Sequence, residues 1–91
     1  MKEFIYRIRD EHGMHARPAG KLATYAKQFE SEVRVSCRDQ EVDVKRLLSL
    51  LSLGAVCGTE LRFSIAGVDE EEAARALERF CREDWEKGGL A

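Results

Sequence analysis

Gly13-Met14-His15-Ala16-Arg17-Pro18-Ala19-Gly20 stands between a stretch of alternating residues and the first run with helical periodicity. Gly13 permits backbone conformations closed to other residues, so the chain can turn sharply there. Pro18 suits the first turn of a helix, where its missing N–H has no partner to lose. His15 is therefore placed at or just before a helix start, with Arg17 two residues on. Such a start presents unpaired backbone N–H groups and partial positive charge, and so favours an anion. It also disfavours an imidazolium, which predicts a neutral His15 with a lone pair to donate. A neutral imidazole, an arginine and the amides of Ala16 and Arg17 at one point are the parts of a phosphoryl acceptor. A histidine near a helix start is often only a cap or a surface residue, and Gly-x-His alone would read that way. The full run asks more, because each residue has a separate task in one geometry.

Upstream, residues 2 to 9 alternate, with Phe4, Tyr6 and Ile8 on one side and Ile5, Arg7 and Arg9 on the other. This predicts a half-buried strand, from which Asp10, Glu11 and His12 lead into the Gly13 turn. Downstream, Ala19, Leu22, Ala23, Ala26 and Phe29 predict a helix from Ala16 to about Phe29 with one buried stripe, leaving Lys21, Lys27, Gln28 and Glu30 to water. Val33, Val35 and Cys37 alternate as a second strand, and Val42 and Val44 mark a short third, with a tight turn expected at Asp39-Gln40. Leu47, Leu48, Leu50, Leu51 and Leu53 predict a short helix, apolar almost all round, ended by Gly54. After a turn at Gly58, Leu61, Phe63 and Ile65 alternate as a fourth strand. Asp69 and Glu72 have the spacing of a capping box for a last helix, with Ala73, Ala76, Leu77, Phe80 and Cys81 inward. That helix is expected to run towards Trp85 and end at Gly88-Gly89, with frayed residues after it.

This order of strands and helices packs most economically as one sheet covered on one face by helices. Ninety-one residues, 44% hydrophobic and 35% charged, are expected to form a single domain spanning residues 1–91 with one core. The net charge of −2 gives no reason to expect nucleic acid. The longest apolar run, Leu47 to Val56, is broken by Ser49 and Ser52 and is far too short to span a membrane. Met1-Lys2-Glu3-Phe4 lacks the apolar segment of a secretory signal, so a cytoplasmic protein is expected. Cys37, Cys57 and Cys81 are far apart and form no C-x-x-C pair, which argues against a disulfide framework and a structural zinc site. Cys37 and Cys81 fall on apolar positions, and Cys57 falls in a loop. Metal-ligand clusters and glycine-rich nucleotide loops are missing, so neither metal nor cofactor is expected.

G-M-H-A-R-P-A resembles the active-site signature of the histidine-containing phosphocarrier (HPr) family of the bacterial phosphoenolpyruvate-dependent sugar phosphotransferase system. The likeness extends over nearly the whole chain. It implies an α+β fold, an open-faced β-sandwich in βαββαβα order with a four-stranded antiparallel sheet and three helices on one face. It implies that His15 carries a phosphoryl group on Nδ1, with Arg17 and the amides of Ala16 and Arg17 around it. The group would arrive from phosphorylated enzyme I and leave to enzyme II A-type components. The chain would then be a covalent carrier between enzymes rather than an enzyme itself, and a monomer by default. Leu47, Leu48 and Leu51 match the family's docking surface. A helix so short cannot bury all its leucines on one side, so an apolar patch should remain exposed in any case. Arg17, Lys21, Lys27, Lys45 and Arg46 would steer that patch towards acidic partners, although Lys27 and Lys45 read equally well as solvated.

Two positions depart from the family pattern. Arg46 stands where the family carries a serine phosphorylated by a regulatory kinase, and an arginine cannot take that modification. It would place positive charge in the first turn of a helix, against the dipole, and would add attraction for an acidic partner or a phosphoryl group. His12 replaces a small polar residue and is expected in solvent. Arg46 keeps open a second reading, an HPr-like regulatory paralogue whose phosphorylation state is read by regulators. A nitrogen-branch or dihydroxyacetone-kinase-associated carrier would share the chemistry and differ in partners.

Overall fold

Strands whose apolar residues recur with period two meet in one core because they pair with their inward rows in register. The computed structural model describes residues 1–85 and places β1 (Lys2–Arg7), β2 (Glu32–Cys37), β3 (Gln40–Asp43) and β4 (Glu60–Ala66) in one antiparallel sheet. The strand order is β1-β4-β2-β3. Phe4 lies opposite Phe63, Phe63 opposite Val35, and Val35 opposite Val42, so one apolar row crosses the whole sheet. Helices α1 (Ala16–Lys27), α2 (Leu47–Ser52) and α3 (Glu70–Arg79) cover one face, the open-faced α+β arrangement expected. Tyr6, Leu22, Leu50, Phe63, Ile65 and Leu77 are fully buried between the layers. Each such side chain contributes about 1.5–3 kcal/mol through removal from water.

The inner stripe of α1 is as its periodicity predicts, with Ala19, Leu22, Ala23 and Ala26 buried and Phe29 packed at the margin. The helix stops at Lys27, short of Phe29, because the Gln28 and Phe29 amides turn back to the carbonyls of Tyr25 and Ala26, three residues away. Gly54 adopts φ +61° just past α2, the left-handed stop its position predicts.

Two expectations are corrected. The tight turn between β2 and β3 is made by Arg38-Asp39, not Asp39-Gln40, because Cys37 pairs with Gln40. Opposing Val35 with Val42 keeps both valines inward and leaves Arg38 to take φ +58° without a glycine. The expected capping box at α3 is not formed: the Asp69 side chain makes no bond to its own helix. It accepts instead from the Glu30 and Ser31 amides, each at 2.9 Å, and from the Ser31 hydroxyl. The loop after α1 thus brings three donors to one carboxylate, and the cap residue serves as a clamp between distant segments.

Beyond α3, Phe80–Trp85 continues as a π-helical turn with Phe80, Cys81 and Trp85 buried. Ala76 is only half-buried. The Trp85 ring lies 5.3 Å from that of Tyr6, and Arg82 donates to the Ile5 carbonyl at 3.1 Å, tying this turn to β1. The expected stop at Gly88-Gly89 lies outside the described residues. Cys37 and Cys81 are buried and Cys57 is exposed. Among the described residues no helix is long and apolar enough to cross a membrane.

Candidate functional site

Gly13 carries φ +66°, and a Cβ there would sit 2.4 Å from the Ala55 carbonyl oxygen and 2.8 Å from Val56 Cα. Only glycine fits both the conformation and the space. The neighbouring Met14 amide donates to that same Ala55 oxygen at 2.9 Å, so the loop before α1 is pinned to the segment after α2. His15 then takes the N-cap position in an extended conformation. Its backbone carbonyl accepts the Ala19 amide at 3.1 Å, which starts the helix. Ala16 and Arg17 are the first two helical residues, so their amides have no intrahelical acceptor, and Pro18 has no amide hydrogen to satisfy. The first turn of α1 holds no acidic side chain. Positive character at this helix end is therefore not offset from within the helix's own first turn.

The His15 ring makes no capping bond to its own helix. It reaches back to the loop, where Nε2 lies 3.0 Å from Asp10 Oδ2. The Asp10 side chain is 2% exposed, whereas that of His15 is 34% exposed. Asp10 Oδ1 accepts the His12 amide at 2.8 Å, which fixes the carboxylate from its other side. Burial pulls the Asp10 carboxyl upward, but the His12 amide, the His15 ring bond and the electrostatic influence of the two histidines outweigh it and hold the group below its ordinary value. An ionised carboxylate only accepts, so Nε2 is the ring nitrogen that carries the proton. In the neutral ring the lone pair then resides on Nδ1.

Arg17 Nη2 approaches the same Asp10 oxygen at 3.8 Å, a charge contact rather than a hydrogen bond. Among the described residues, neither terminal nitrogen of Arg17 has a hydrogen-bond acceptor, and both are covered by neighbouring atoms. The guanidinium thus shares the Asp10 oxygen with the ring, and its terminal donors make no hydrogen bond. His12 is exposed, with its ring edge-on to His15 at a centroid distance of 5.6 Å and its Nε2 3.7 Å from Glu11.

On α2, Leu48 is 80% and Leu47 39% exposed, while Leu50 and Leu53 are buried. Leu51 is half-buried against the core, so of the three leucines matched to a docking surface it shows the least of itself. Val56, also exposed, belongs to the segment against which Gly13 packs. Arg46 is exposed and is the N-cap of α2, one residue before the first turn where the sequence puts it. Lys45 is not a free surface charge, because its ammonium donates to the Phe29 carbonyl at 2.8 Å.

The family model described as "PTS HPr component phosphorylation site" matches residues 2–83. The chain belongs to the HPr family of phosphocarriers of the phosphotransferase system. It is 39% identical over 84 residues to the phosphocarrier protein HPr of Mycoplasma genitalium, covering 91% of this chain and 94% of that one. It is 43% identical over 75 residues to the multiphosphoryl transfer protein of Vibrio cholerae, covering 79% of this chain but only 19% of that one. The chain thus spans about a fifth of the length of such larger relatives. Among solved structures, HPr-C-His from Thermoanaerobacter tengcongensis superposes with a TM-score of 0.88 at 34% identity, covering 93% of this chain and 96% of that one.

Periodicity and motif place His15, Arg17 and the two free amides, and the fold brings them together. Asp10 is what sequence reasoning passes over as a linker residue. A signal was present: Asp10-Glu11-His12-Gly13 is Asp at the first and Gly at the fourth position of a turn. The Gly13 amide donates to the Asp10 carbonyl at 2.9 Å, closing that turn.

Proposed function

We propose that the chain accepts a phosphoryl group on His15 Nδ1 from phosphorylated enzyme I and passes it to enzyme II A-type components. The observation that carries this reading is a partly exposed imidazole at a helix start whose first turn holds no acid, bonded through Nε2 to a carboxylate so that Nδ1 holds the lone pair. Phosphoryl transfer needs little covalent work from the protein and much electrostatic placement. The amides of Ala16 and Arg17 and the uncommitted donors of Arg17 supply it, meeting the charge that spreads over the non-bridging oxygens. One arginine and two amides form a shallow site from which the group can leave again, as a carrier requires.

Leu47 and Leu48, with the edge of Leu51, form the apolar surface on which both partners dock, and Arg46 and Lys21 add charge for acidic partner surfaces. The domain acts in the cytoplasm and needs no cofactor. Incubation with phosphoenolpyruvate and enzyme I should give acid-labile phosphate that is delivered to an enzyme II component, and His15→Gln should abolish labelling. Labelling that survives this change overturns the reading. The exposed Arg46 at the start of α2 favours one other reading, a regulatory paralogue, for which labelling without onward delivery is the expected result.

A further inference from the structure

We infer that Asp10 is a positioning residue for this site, whose carboxylate keeps the His15 proton on Nε2 before, during and after phosphoryl transfer. The inference rests on the reading of His15 as the acceptor. Asp10 Oδ1 closes the local turn by accepting the His12 amide, and that bond alone would satisfy a purely structural aspartate. Oδ2 is left over, and it faces Nε2 at 3.0 Å from a side chain that is 2% exposed. A buried carboxylate held from one side by a backbone amide and aimed at a ring nitrogen fixes both the orientation and the tautomer of that ring.

The consequence for the chemistry follows atom by atom. On arrival, the Nδ1 lone pair forms the N–P bond while the donor's bond to phosphorus breaks and its electron pair leaves with the donor. The proton stays on Nε2, and the ring becomes an N-phosphoimidazolium whose positive charge faces Asp10. On departure the N–P bond breaks and its electron pair returns to Nδ1, so the ring leaves as neutral imidazole. Loss of the Nε2 proton would make the leaving group an imidazolate, which is far poorer. Asp10 therefore extends upward the pH range over which the phosphorylated ring can give its group away. The groups that meet the ring are Asp10 and His12 from the loop, and Arg17 of α1 reaches the same Asp10 oxygen at 3.8 Å. Glu11 pairs with the far side of His12. Arg17 and a protonated His12 oppose a positive ring, while Asp10 and the bound phosphoryl group favour it.

Asp10→Asn keeps the shape and lets the amide oxygen accept from His12, which turns the side-chain NH₂ towards Nε2. That NH₂ donates, so the ring proton should move to Nδ1 and the lone pair be lost from the reacting nitrogen. Nitrogen-15 NMR of the unphosphorylated proteins should report an Nε2–H ring in the wild type and an Nδ1–H ring in the variant. Labelling by phosphoenolpyruvate and enzyme I should slow by about tenfold or more. In the labelled protein, the Nε2 proton and onward transfer should both be lost at lower pH than in the wild type. An unchanged tautomer with an unchanged titration of the labelled ring overturns the inference. If the variant does not fold, the wild-type spectrum decides by itself, because an Nδ1–H ring there is equally fatal. Either result leaves intact the test of the acceptor by His15→Gln.

Discussion

The starts of α1 and α3 pose the same problem and solve it in opposite ways. At both, the N-cap side chain turns away from its own helix, His15 towards Asp10 and Asp69 towards the loop at Glu30 and Ser31. At α3 the first turn carries Glu70, Glu71 and Glu72, and Glu70 accepts the Gly67 amide at 3.1 Å, so the positive end is neutralised from within. At α1 the first turn carries no acid, and a guanidinium with uncommitted donors adds to the charge already there. One end is finished as structure and the other is left in need of an anion. The difference is small in sequence and decisive for chemistry: a helix terminus binds a phosphoryl group only if the protein declines to satisfy it by itself.

Breaking this contrast from the α1 side should give the largest effect. Arg17→Ala should slow labelling by enzyme I about a hundredfold, the scale of losing donors aimed at developing charge. The melting temperature should fall by no more than about a few degrees, because Arg17 gives up one 3.8 Å charge contact to Asp10 and no hydrogen bond from its terminal nitrogens among the described residues. A large loss of stability with normal labelling would make Arg17 a structural residue. Ala16→Glu sharpens the comparison by giving α1 the acidic first turn of α3. The exposed position should accept glutamate, stabilising the fold by about 0.3–1 kcal/mol while slowing labelling about fivefold. A thermal melt and a transfer assay on the same sample check both signs, and a faster transfer would refute the idea.

The smallest effect lies at the other end. The Ser31 hydroxyl, then the Glu30 amide, hold the Asp69 carboxyl below its ordinary value. A depressed carboxyl contributes stability that is present above its unfolded value of about 3.9 and is lost as pH falls through the folded one. Asp69→Asn should therefore lower the melting temperature by about a few degrees at neutral pH and flatten its fall below about pH 4, with no change in labelling. Part of the acid dependence should persist, since Asp10 is depressed in the same direction. Melts across the acid range test this, and an unaltered slope would show that the clamp contributes nothing.

Much of this was legible beforehand for a physical reason. The rows of Val33, Val35 and Cys37, of Leu61, Phe63 and Ile65, and of Ala19, Leu22, Ala23 and Ala26 are local repeats, and each is buried as its period requires. The motif around His15 is also local, because a glycine turn, a cap position and a proline at the start of a helix act within a few bonds of one another. Where the reading slipped, the deciding contact came from elsewhere in the chain. Pairing of Cys37 with Gln40 moved a turn by one residue, and donors from residues 30 and 31 drew Asp69 from its own helix. The Phe29 carbonyl likewise accepts from the Lys45 ammonium, which the sequence leaves either to partner steering or to solvent.

By itself, then, the sequence determined the order of elements, the faces they bury and the proposed nucleophile with its arginine. It did so because periodicity and backbone conformation are properties of neighbouring residues. The tertiary structure alone decided which nitrogen of the imidazole is held. Asp10 sits in a loop, where no repeat announces which side chain turns inward. Its burial against His15 depends on Gly13 and Met14 being seated on Ala55, in a part of the chain that only folding brings near.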